Sequence, residues 1–220
     1  MLVAGVDEAG RGCVIGPLVV AGVAIAKENL KDIADLGVKD SKLLTPKKRE
    51  VLYSRIIEMA QSYHVIKLQP SQIDLVVRRA RKLHKLNRLE AETMAKVIEE
   101  LRPDEAYVDA ADVLERRFAH HIKERLTLDT VVVSQHKADR TYPIVSAASI
   151  IAKVERDRDV GNLRVNYGDF GSGYLTDKKT LCFLRKFLED NGDYPDCVRQ
   201  SWKPAIKVKS ELNYRQRTLT

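Results

Sequence analysis

Two adjacent carboxylates, Asp7 and Glu8, lie where an apolar run at residues 2–6 gives way to a glycine-rich turn that contains Gly10 and Gly12. Neighbouring side chains of a strand point to opposite faces, so the two acids share one site only if the strand ends between them. The glycines allow the chain to turn there. Paired acids raise each other's pKa, and a divalent cation commonly keeps such pairs ionised. The opening of the chain therefore indicates half of a metal site.

Two further acids follow later candidate strands. Asp109 ends the run 106–109, and Asp139 follows the β-branched run 130–133 after a short loop. In open α/β sheets, such strand ends converge on one crevice. Either acid alone is better explained as a helix cap or a salt-bridge partner. Together with the first pair they predict an oxygen-only site suited to Mg²⁺ or Mn²⁺.

The elements that must position these acids are predicted from apolar periodicity and turn signals. Predicted strands cover residues 2–7 and 17–26, which form a hairpin, then 63–68, 106–109 and 130–133. The 17–26 strand is apolar at almost every position, which predicts an inner place in the sheet. Predicted helices begin at Thr45-Pro46 and at Leu86, the latter ending before Pro103, and cover 113–126, 144–154 and 181–188. The tail from Lys203 is predicted to be frayed.

Composition restricts the class of protein. The chain has 220 residues and 44% hydrophobic content, enough for a buried core. The formal net charge of +7 favours a polyanionic partner, although a basic surface alone is equally consistent with simple solubility. The cysteines, at 13, 182 and 197, lack the spacing of a disulfide framework or a zinc site. With neither a membrane-spanning run nor a secretion signal, we expect a cytoplasmic protein without membrane contact.

Five motifs occur in a fixed order: Asp7-Glu8-Ala9-Gly10-Arg11-Gly12, Asp40-Ser41-Lys42, Tyr107-Val108-Asp109, His136-Lys137-Ala138-Asp139 and Gly171-Ser172-Gly173-Tyr174. This ordered set, spread over residues 3–202, closely resembles that of type 2 ribonuclease H, ribonuclease HII, and is most similar to archaeal members. The resemblance implies an α/β ribonuclease H-like core, a mixed five-stranded sheet flanked by helices. We predict this core at residues 1–165, and a small C-terminal helical lobe with a basic tail at 166–220.

The resemblance also implies an activity. It is that of an endoribonuclease in DNA replication and repair, which hydrolyses the RNA strand of RNA/DNA hybrids. It also cuts 5′ of ribonucleotides embedded in duplex DNA, leaving a 3′-hydroxyl and a 5′-phosphate. By motif position, the catalytic acids and the ligands of two Mg²⁺ or Mn²⁺ ions are Asp7, Glu8, Asp109 and Asp139.

The substrate-binding residues implied by the resemblance are Gly10, Arg11, Gly12, Ser41, Lys42, Lys137 and Tyr174. The turn at residues 10–12 reads the ribose 2′-hydroxyl at the RNA–DNA junction, because glycines allow the backbone to approach it closely. The Tyr174 ring packs on the deoxyribose that follows. Taken alone, the turn is an ordinary tight turn and each lysine an ordinary solvated side chain.

Three other functions compete. Gly10, Gly12 and Gly16 follow a strand as in dinucleotide-binding proteins, but their spacing is GxGxxxG and two acids ahead of the turn would repel a pyrophosphate. A non-catalytic nucleic-acid-binding module needs the basic surface but not four acids. Another ribonuclease H-like metal-dependent nuclease shares the acids but lacks the glycine turn and the tyrosine.

The tail at residues 213–219 resembles the start of a sliding-clamp-binding motif, in which Gln216 and Leu219 should be followed by two aromatic residues. The chain ends at Thr220, before any aromatic residue. Because those aromatics fill the pocket that anchors such a peptide, we expect a truncated tail or weak clamp affinity. We also expect a monomer.

Overall fold

The computed structural model describes residues 1–38, 44–79 and 85–218. Five strands form one sheet in the order β3-β2-β1-β4-β5. They are β1 (Leu2–Ala9), β2 (Leu18–Ala26), β3 (Ser62–Leu68), β4 (Glu105–Asp109) and β5 (Val131–Gln135). Strand β1 pairs antiparallel with β2 and parallel with β4, which pairs parallel with β5. The mixed five-stranded sheet, its opening hairpin and the inner place of the second strand are confirmed.

The described ranges contain a short 3-10 helix (Lys27–Asn29) and the helices α1 (Leu30–Asp35), α2 (Pro46–Met59), α3 (Pro70–Arg79), α4 (Lys85–Leu101), α5 (Glu115–Lys123), α6 (Ala138–Thr141), α7 (Pro143–Tyr167), α8 (Lys178–Asn191) and α9 (Lys203–Thr218). Helix α2 begins as predicted, with Pro46 as its first residue and the Thr45 hydroxyl accepting a hydrogen bond from the Lys48 N–H at 3.3 Å. None of the helices in these ranges is both long and apolar enough to cross a membrane.

Alternation along β1 divides the sheet into two packing faces. Val3 belongs to the apolar cluster that contains the first half of α7, whereas Ala4 and Val6 belong to the cluster that contains α4. Both helices approach the sheet closely at a glycine. A Cβ atom at Gly5 would lie 2.3 Å from the carbonyl carbon of Ile144, the second residue of α7. This close packing fixes α7, and with it the polar side chains of α7, against β1.

Several predictions about helices were wrong in extent or kind, including the helix predicted at 181–188, which is α8 (Lys178–Asn191). The helix predicted at 113–126 is α5, which is shorter because Val113 and Leu114 are exposed and the Leu114 N–H donates instead to the Asp112 carboxylate. The helix predicted at 144–154 continues to Tyr167 as α7. The tail predicted to fray from Lys203 forms helix α9, in which Ala205 and Val208 are buried against other apolar side chains.

The chain separates into two compact units that interleave along the sequence. The first unit contains Met1–Ala9, Val19–Lys67 and Leu83–Glu155, and the second contains Gly10–Leu18, Leu68–Lys82 and Arg156–Thr220. The second unit has its own apolar core, built around Phe170, Leu184 and Ile15. It differs in composition from the lobe predicted at 166–220, and that boundary stays a prediction.

Candidate active site

Asp7 and Glu8 both lie inside β1, which pairs with β2 through Asp7↔Ala21, Glu8↔Val20 and Ala9↔Val19. The prediction that the strand ends between the two acids was therefore wrong. Pairing with β2 continues to Ala9, and the chain reverses only from Gly10, whose φ is +83°. The two acids consequently leave the strand on opposite faces, Asp7 toward α7 and Glu8 toward α4. The two carboxylates nevertheless stay close enough for the Asp7 charge to add to the effect of burial on the pKa of Glu8.

Asp7 is buried on the α7 side of the sheet, with 4% of its surface exposed. One of its carboxylate oxygens accepts a hydrogen bond from the Glu8 N–H at 2.7 Å. Burial raises the pKa of Asp7, and the Asp139 charge raises it further. The charge of Lys153 and a hydrogen bond from the Ser149 hydroxyl oppose that shift without cancelling it. The buried Asp7 carboxylate thus lies against α7, near the Lys153 ammonium group and the Ser149 hydroxyl.

The ionised form of Glu8 is less stable in the folded protein than that of Asp7. Its Oε2 atom is buried and has no hydrogen-bond partner among the described residues. Burial raises the pKa of Glu8 well above its usual value, and the charges of Asp7, Glu90 and Asp109 raise it further. Glu90 is a fully buried residue of α4. An ionised Glu8 is therefore costly in this setting.

Asp109 and Asp139 are brought together by the ends of two neighbouring parallel strands. Asp109 is the last residue of β4, and its Oδ1 accepts a hydrogen bond from the Ala138 N–H at 2.9 Å. Ala138 opens the short helix α6, which carries the buried Asp139. Lys137, just before α6, adopts a left-handed conformation with a φ of +57°. This tight connection fixes Asp139 beside the end of β4.

The donor set fits a hard divalent cation. It consists of carboxylate oxygens, and burial, reinforced by neighbouring carboxylates, raises the pKa values of Asp7 and Glu8, so a bound cation would favour their ionised forms. Within the described ranges, no three His, Cys, Asp or Glu side chains form a group that could hold a metal ion by themselves. Mg²⁺ at phosphoryl-transfer sites is usually bound by one or two carboxylates and completes its shell with water and substrate phosphate. The arrangement fits this mode, in which one or two carboxylates bind the cation together with water and substrate phosphate.

The glycine turn and Tyr174 adjoin one another within the second unit. A Cβ atom at Gly12 would lie 3.8 Å from Cε1 of Tyr174. The fully buried Arg199 donates to the carbonyl oxygens of Gly10, at 2.7 Å, and of Arg11, at 2.8 Å. At Gly10, the positive φ and a position for Cβ only 2.6 Å from the Pro17 carbonyl oxygen both exclude a larger residue. The turn is rigidly held around a buried guanidinium group.

The predicted site residues therefore fall into two sets. The four acids and Lys137 belong to the first unit, and the Gly10–Gly12 turn and Tyr174 belong to the second. Lys137 is exposed. Ser41 and Lys42 lie outside the described residues.

Comparisons with known proteins agree with this architecture. The family profile of ribonuclease HII matches residues 4–205. The chain belongs to the ribonuclease HII family. Ribonuclease HII of Pyrococcus horikoshii is 46% identical over 221 residues, an alignment that covers 100% of this chain and 98% of that protein. The resemblance noted from the ordered motifs is confirmed.

Two solved structures of ribonuclease HII proteins match this one closely. The ribonuclease H2 of Pyrococcus horikoshii OT3 has a TM-score of 0.89 at 46% identity, covering 97% of this chain and 99% of that one. The ribonuclease HII in a complex with PCNA from Archaeoglobus fulgidus has a TM-score of 0.83 at 45% identity, covering 92% of this chain and 96% of that one.

The sequence analysis missed several polar residues that contact or influence the ribonuclease HII motifs. In the first unit they are Glu90, Ser149 and Lys153, and in the second they are Arg156 and Arg199. Glu90 had a readable signal, because it occupies the apolar stripe of α4. Ser149 and Lys153 are four residues apart on one helix and share a hydrogen bond from the lysine to the serine. Nothing in the local sequence marks the two arginines.

Proposed function

We propose that this chain is a divalent-metal-dependent endoribonuclease. It hydrolyses the RNA strand of RNA/DNA hybrids, cuts 5′ of ribonucleotides embedded in duplex DNA, and leaves a 3′-hydroxyl and a 5′-phosphate. Family membership supports the ribonuclease H part of this proposal. The basic charge of the whole chain supports a nucleic-acid substrate.

The observation that carries the proposal is the proximity of the four acids. Burial is the main cause of the raised pKa values of Asp7 and Glu8, and neighbouring carboxylates add to it, Asp139 at Asp7, and Asp7, Glu90 and Asp109 at Glu8. Proteins rarely bury several carboxylates near one another without a cation or protons to neutralise them. A non-catalytic nucleic-acid-binding surface has no use for such a cluster, because negative charge repels phosphate. The cluster therefore favours an enzyme over a binding module.

In the proposed mechanism, Asp7 and Asp109 are each held in place by neighbouring groups. Asp7 would hold divalent cations, and the Ser149 hydroxyl and the Lys153 charge fix its orientation. The Ala138 N–H fixes Asp109. When bound, divalent cations of such a site activate the attacking water and stabilise the departing 3′-oxygen. The protein supplies prearranged negative charge, so little reorganisation is needed when substrate and cation bind.

Recognition of the ribonucleotide is assigned to the second unit. The Gly10–Gly12 turn offers backbone groups to the ribose 2′-hydroxyl, and the Tyr174 ring offers an apolar face to the deoxyribose that follows. The close approach of the turn to Tyr174 supports a shared role, because the two sugars are neighbours on one strand. Lys137 is assigned to a backbone phosphate of the substrate.

The deciding experiment uses a DNA duplex that carries one ribonucleotide, and a uniform RNA/DNA hybrid of equal length. We expect cleavage of both in Mg²⁺ or Mn²⁺, none with a chelator, and a cut on the 5′ side of the single ribonucleotide. Cleavage of the hybrid alone would favour another kind of ribonuclease H-like nuclease. Binding without cleavage under all metal conditions would favour a non-catalytic module.

A sliding clamp is a second partner that we propose. A relative 45% identical to this chain was solved as a PCNA complex. In the tail that resembles the start of a clamp-binding motif, Gln216 lies in α9 and Leu219 lies outside the described residues. Calorimetric titration of an archaeal clamp with this 220-residue chain tests the partnership, and the absence of detectable binding would contradict it.

A further inference from the structure

Arg156 is a buried cation that contacts both of the turns assigned above to ribonucleotide recognition. It lies in the second half of α7, and 6% of its surface is exposed. No sequence motif pointed to it, and the mechanism proposed above does not use it. All of the contacts described below lie within the second unit.

Its first contact is with the turn that carries Tyr174. One terminal nitrogen of Arg156 donates to the Ser172 carbonyl oxygen at 3.1 Å. The guanidinium carbon lies 5.1 Å from the centre of the Tyr174 ring. This is the distance of a cation–π contact, and such contacts are strongest when the cation is desolvated, as it is here. Arg156 therefore supports one face of the tyrosine ring.

Its second contact is with the glycine turn. A Cβ atom at Gly10 would lie 2.7 Å from both Cδ and Nε of Arg156. The arginine stem therefore occupies the space beside Gly10 that any other residue would fill with its side chain. The two turns also bond directly, since the Gly173 carbonyl oxygen accepts hydrogen bonds from the N–H groups of Val14, at 2.8 Å, and Ile15, at 3.2 Å.

The position is an expensive one for a cation. A carboxylate oxygen of Asp157 lies 3.8 Å from a terminal nitrogen of the guanidinium group, and that aspartate side chain is 44% exposed. The Nε atom is buried and has no hydrogen-bond partner among the described residues. Buried polar groups without partners are rare, and each one calls for an explanation. If packing were its only role, an apolar side chain of similar length would give equal or greater stability.

We propose that Arg156 is a positioning residue that couples the ribose-reading turn to the deoxyribose-reading tyrosine. Its guanidinium group fixes the tilt of the Tyr174 ring, and its stem fixes the distance from that ring to Gly10. In this role, Arg156 holds constant the spacing between the ribose contact and the deoxyribose contact. This inference rests on the proposed function, since it specifies which residue sets the substrate preference of the same site.

The test compares Arg156→Met with a control from the same helix, Arg164→Met. Arg164 also donates to the second turn, at 2.7 Å to the Gly171 carbonyl oxygen, and it lies over Phe170 rather than Tyr174. We measure single-turnover cleavage of the one-ribonucleotide duplex and of the uniform hybrid. For Arg156→Met, the ratio of the two rates should fall on the order of 10-fold, as expected for loss of a desolvated cation–π contact. Arg164→Met should keep the parental ratio.

A residue with a purely structural role would lower both rates together and leave the ratio unchanged. Arg156→Lys serves as a second variant that keeps the charge and loses the planar group, and its ratio should fall by a few-fold. The pair Arg156→Met and Tyr174→Ala should be less than multiplicative, because the arginine acts through the ring. A parental ratio in either folded Arg156 variant, or fully multiplicative effects in the pair, would overturn the coupling role. Failure of the parent protein to cut the one-ribonucleotide duplex would instead overturn the proposed function.

Discussion

The two units place buried charge in opposite ways. In the first, the acids Asp7 and Glu8 have raised pKa values, and the Oε2 atom of Glu8 has no hydrogen-bond partner among the described residues. In the second, the buried Arg199 donates to the carbonyl oxygens of Gly10, Arg11 and Gly16. One unit therefore holds negative charge that protein groups do not fully neutralise. The other holds, at Arg199, positive charge that backbone oxygens satisfy.

This difference separates two kinds of preorganisation. A site that must bind a cation benefits from charge left unsatisfied until the cation arrives. A turn that must recognise one hydroxyl group benefits from complete internal bonding, because any slack in its backbone moves the contact point. Removing the buried charge of Glu8 should therefore stabilise the protein, whereas removing that of Arg199 should destabilise it. The predictions below test that contrast.

The largest effect is expected for Asp7→Asn, which removes a charge assigned to metal binding and keeps the size of the side chain. Cleavage should fall on the order of 1,000-fold or more, because the Asp7 carboxylate, a proposed ligand of the divalent cations, is lost. Asp109→Asn should behave similarly. The exposed Asp35, at the end of α1, provides the control Asp35→Asn, which should cleave like the parent. Near-parental rates for Asp7→Asn across a Mg²⁺ titration would remove Asp7 from the site.

The next effect is expected for Tyr174→Ala. Loss of the ring removes the proposed contact to the deoxyribose, so the scissile phosphate should be misplaced. The cleavage rate of the one-ribonucleotide duplex should then fall on the order of 100-fold. A uniform hybrid offers many riboses and should suffer less. The matched control is Tyr63→Ala on β3, a half-exposed tyrosine of the first unit, which should leave both rates unchanged. Equal losses on both substrates would show that Tyr174 has no role specific to the junction.

These two predictions rest on residues that could be read from the sequence. The acids were predicted because each lies at or near the end of a candidate strand, and strand ends in such sheets converge. The strands themselves were found to within a residue or two, because their apolar runs are unmistakable. The extension of α7 past Val154 was missed because charged residues replace apolar ones there, where the helix leaves the first core for the second unit. The periodicity of apolar residues predicts only the buried part of a helix, and a helix can continue beyond that part.

What the sequence did not predict is how the acids and turns are supported. Arg199 is 189 residues from Gly10, whose carbonyl oxygen it binds, and no local pattern reports a contact at such separation. Helix α9 was missed because it is rich in lysine and its apolar positions are few. Its buried residues belong to the core of the second unit, so tertiary packing rather than intrinsic pattern explains the helix.

A test of the second unit is Arg199→Met, which keeps the length of the side chain and removes its charge and donors. Several carbonyl oxygens would lose their partners, so we expect a loss in unfolding free energy of about 3 kcal/mol. The control is Arg185→Met on α8, whose exposed guanidinium lies 3.6 Å from a Glu211 carboxylate oxygen. Exposed pairs of that kind contribute less than about 1 kcal/mol. Chemical denaturation measures both, and equal stability of the two variants would contradict the role assigned to Arg199.

The smallest effect, and the one of opposite sign, is expected for Glu8→Gln in the presence of a chelator. The pKa of Glu8 is raised in the folded state, so the ionised carboxylate lowers folding stability, and this loss grows as the pH rises through the raised pKa. Neutral glutamine avoids the loss. At pH 8 the variant should therefore be more stable than the parent by about 1 kcal/mol, or roughly 3 °C in Tm. At pH 4 the difference should disappear, because the parent is then protonated at Glu8.

Glu99→Gln on α4 is the matched control. Hydrogen bonds from Thr127 lower the pKa of Glu99, so the amide at this position should bring no gain in stability. If Glu8→Gln were less stable than the parent at pH 8, buried charge would be satisfied in both units, and the contrast between them would fail.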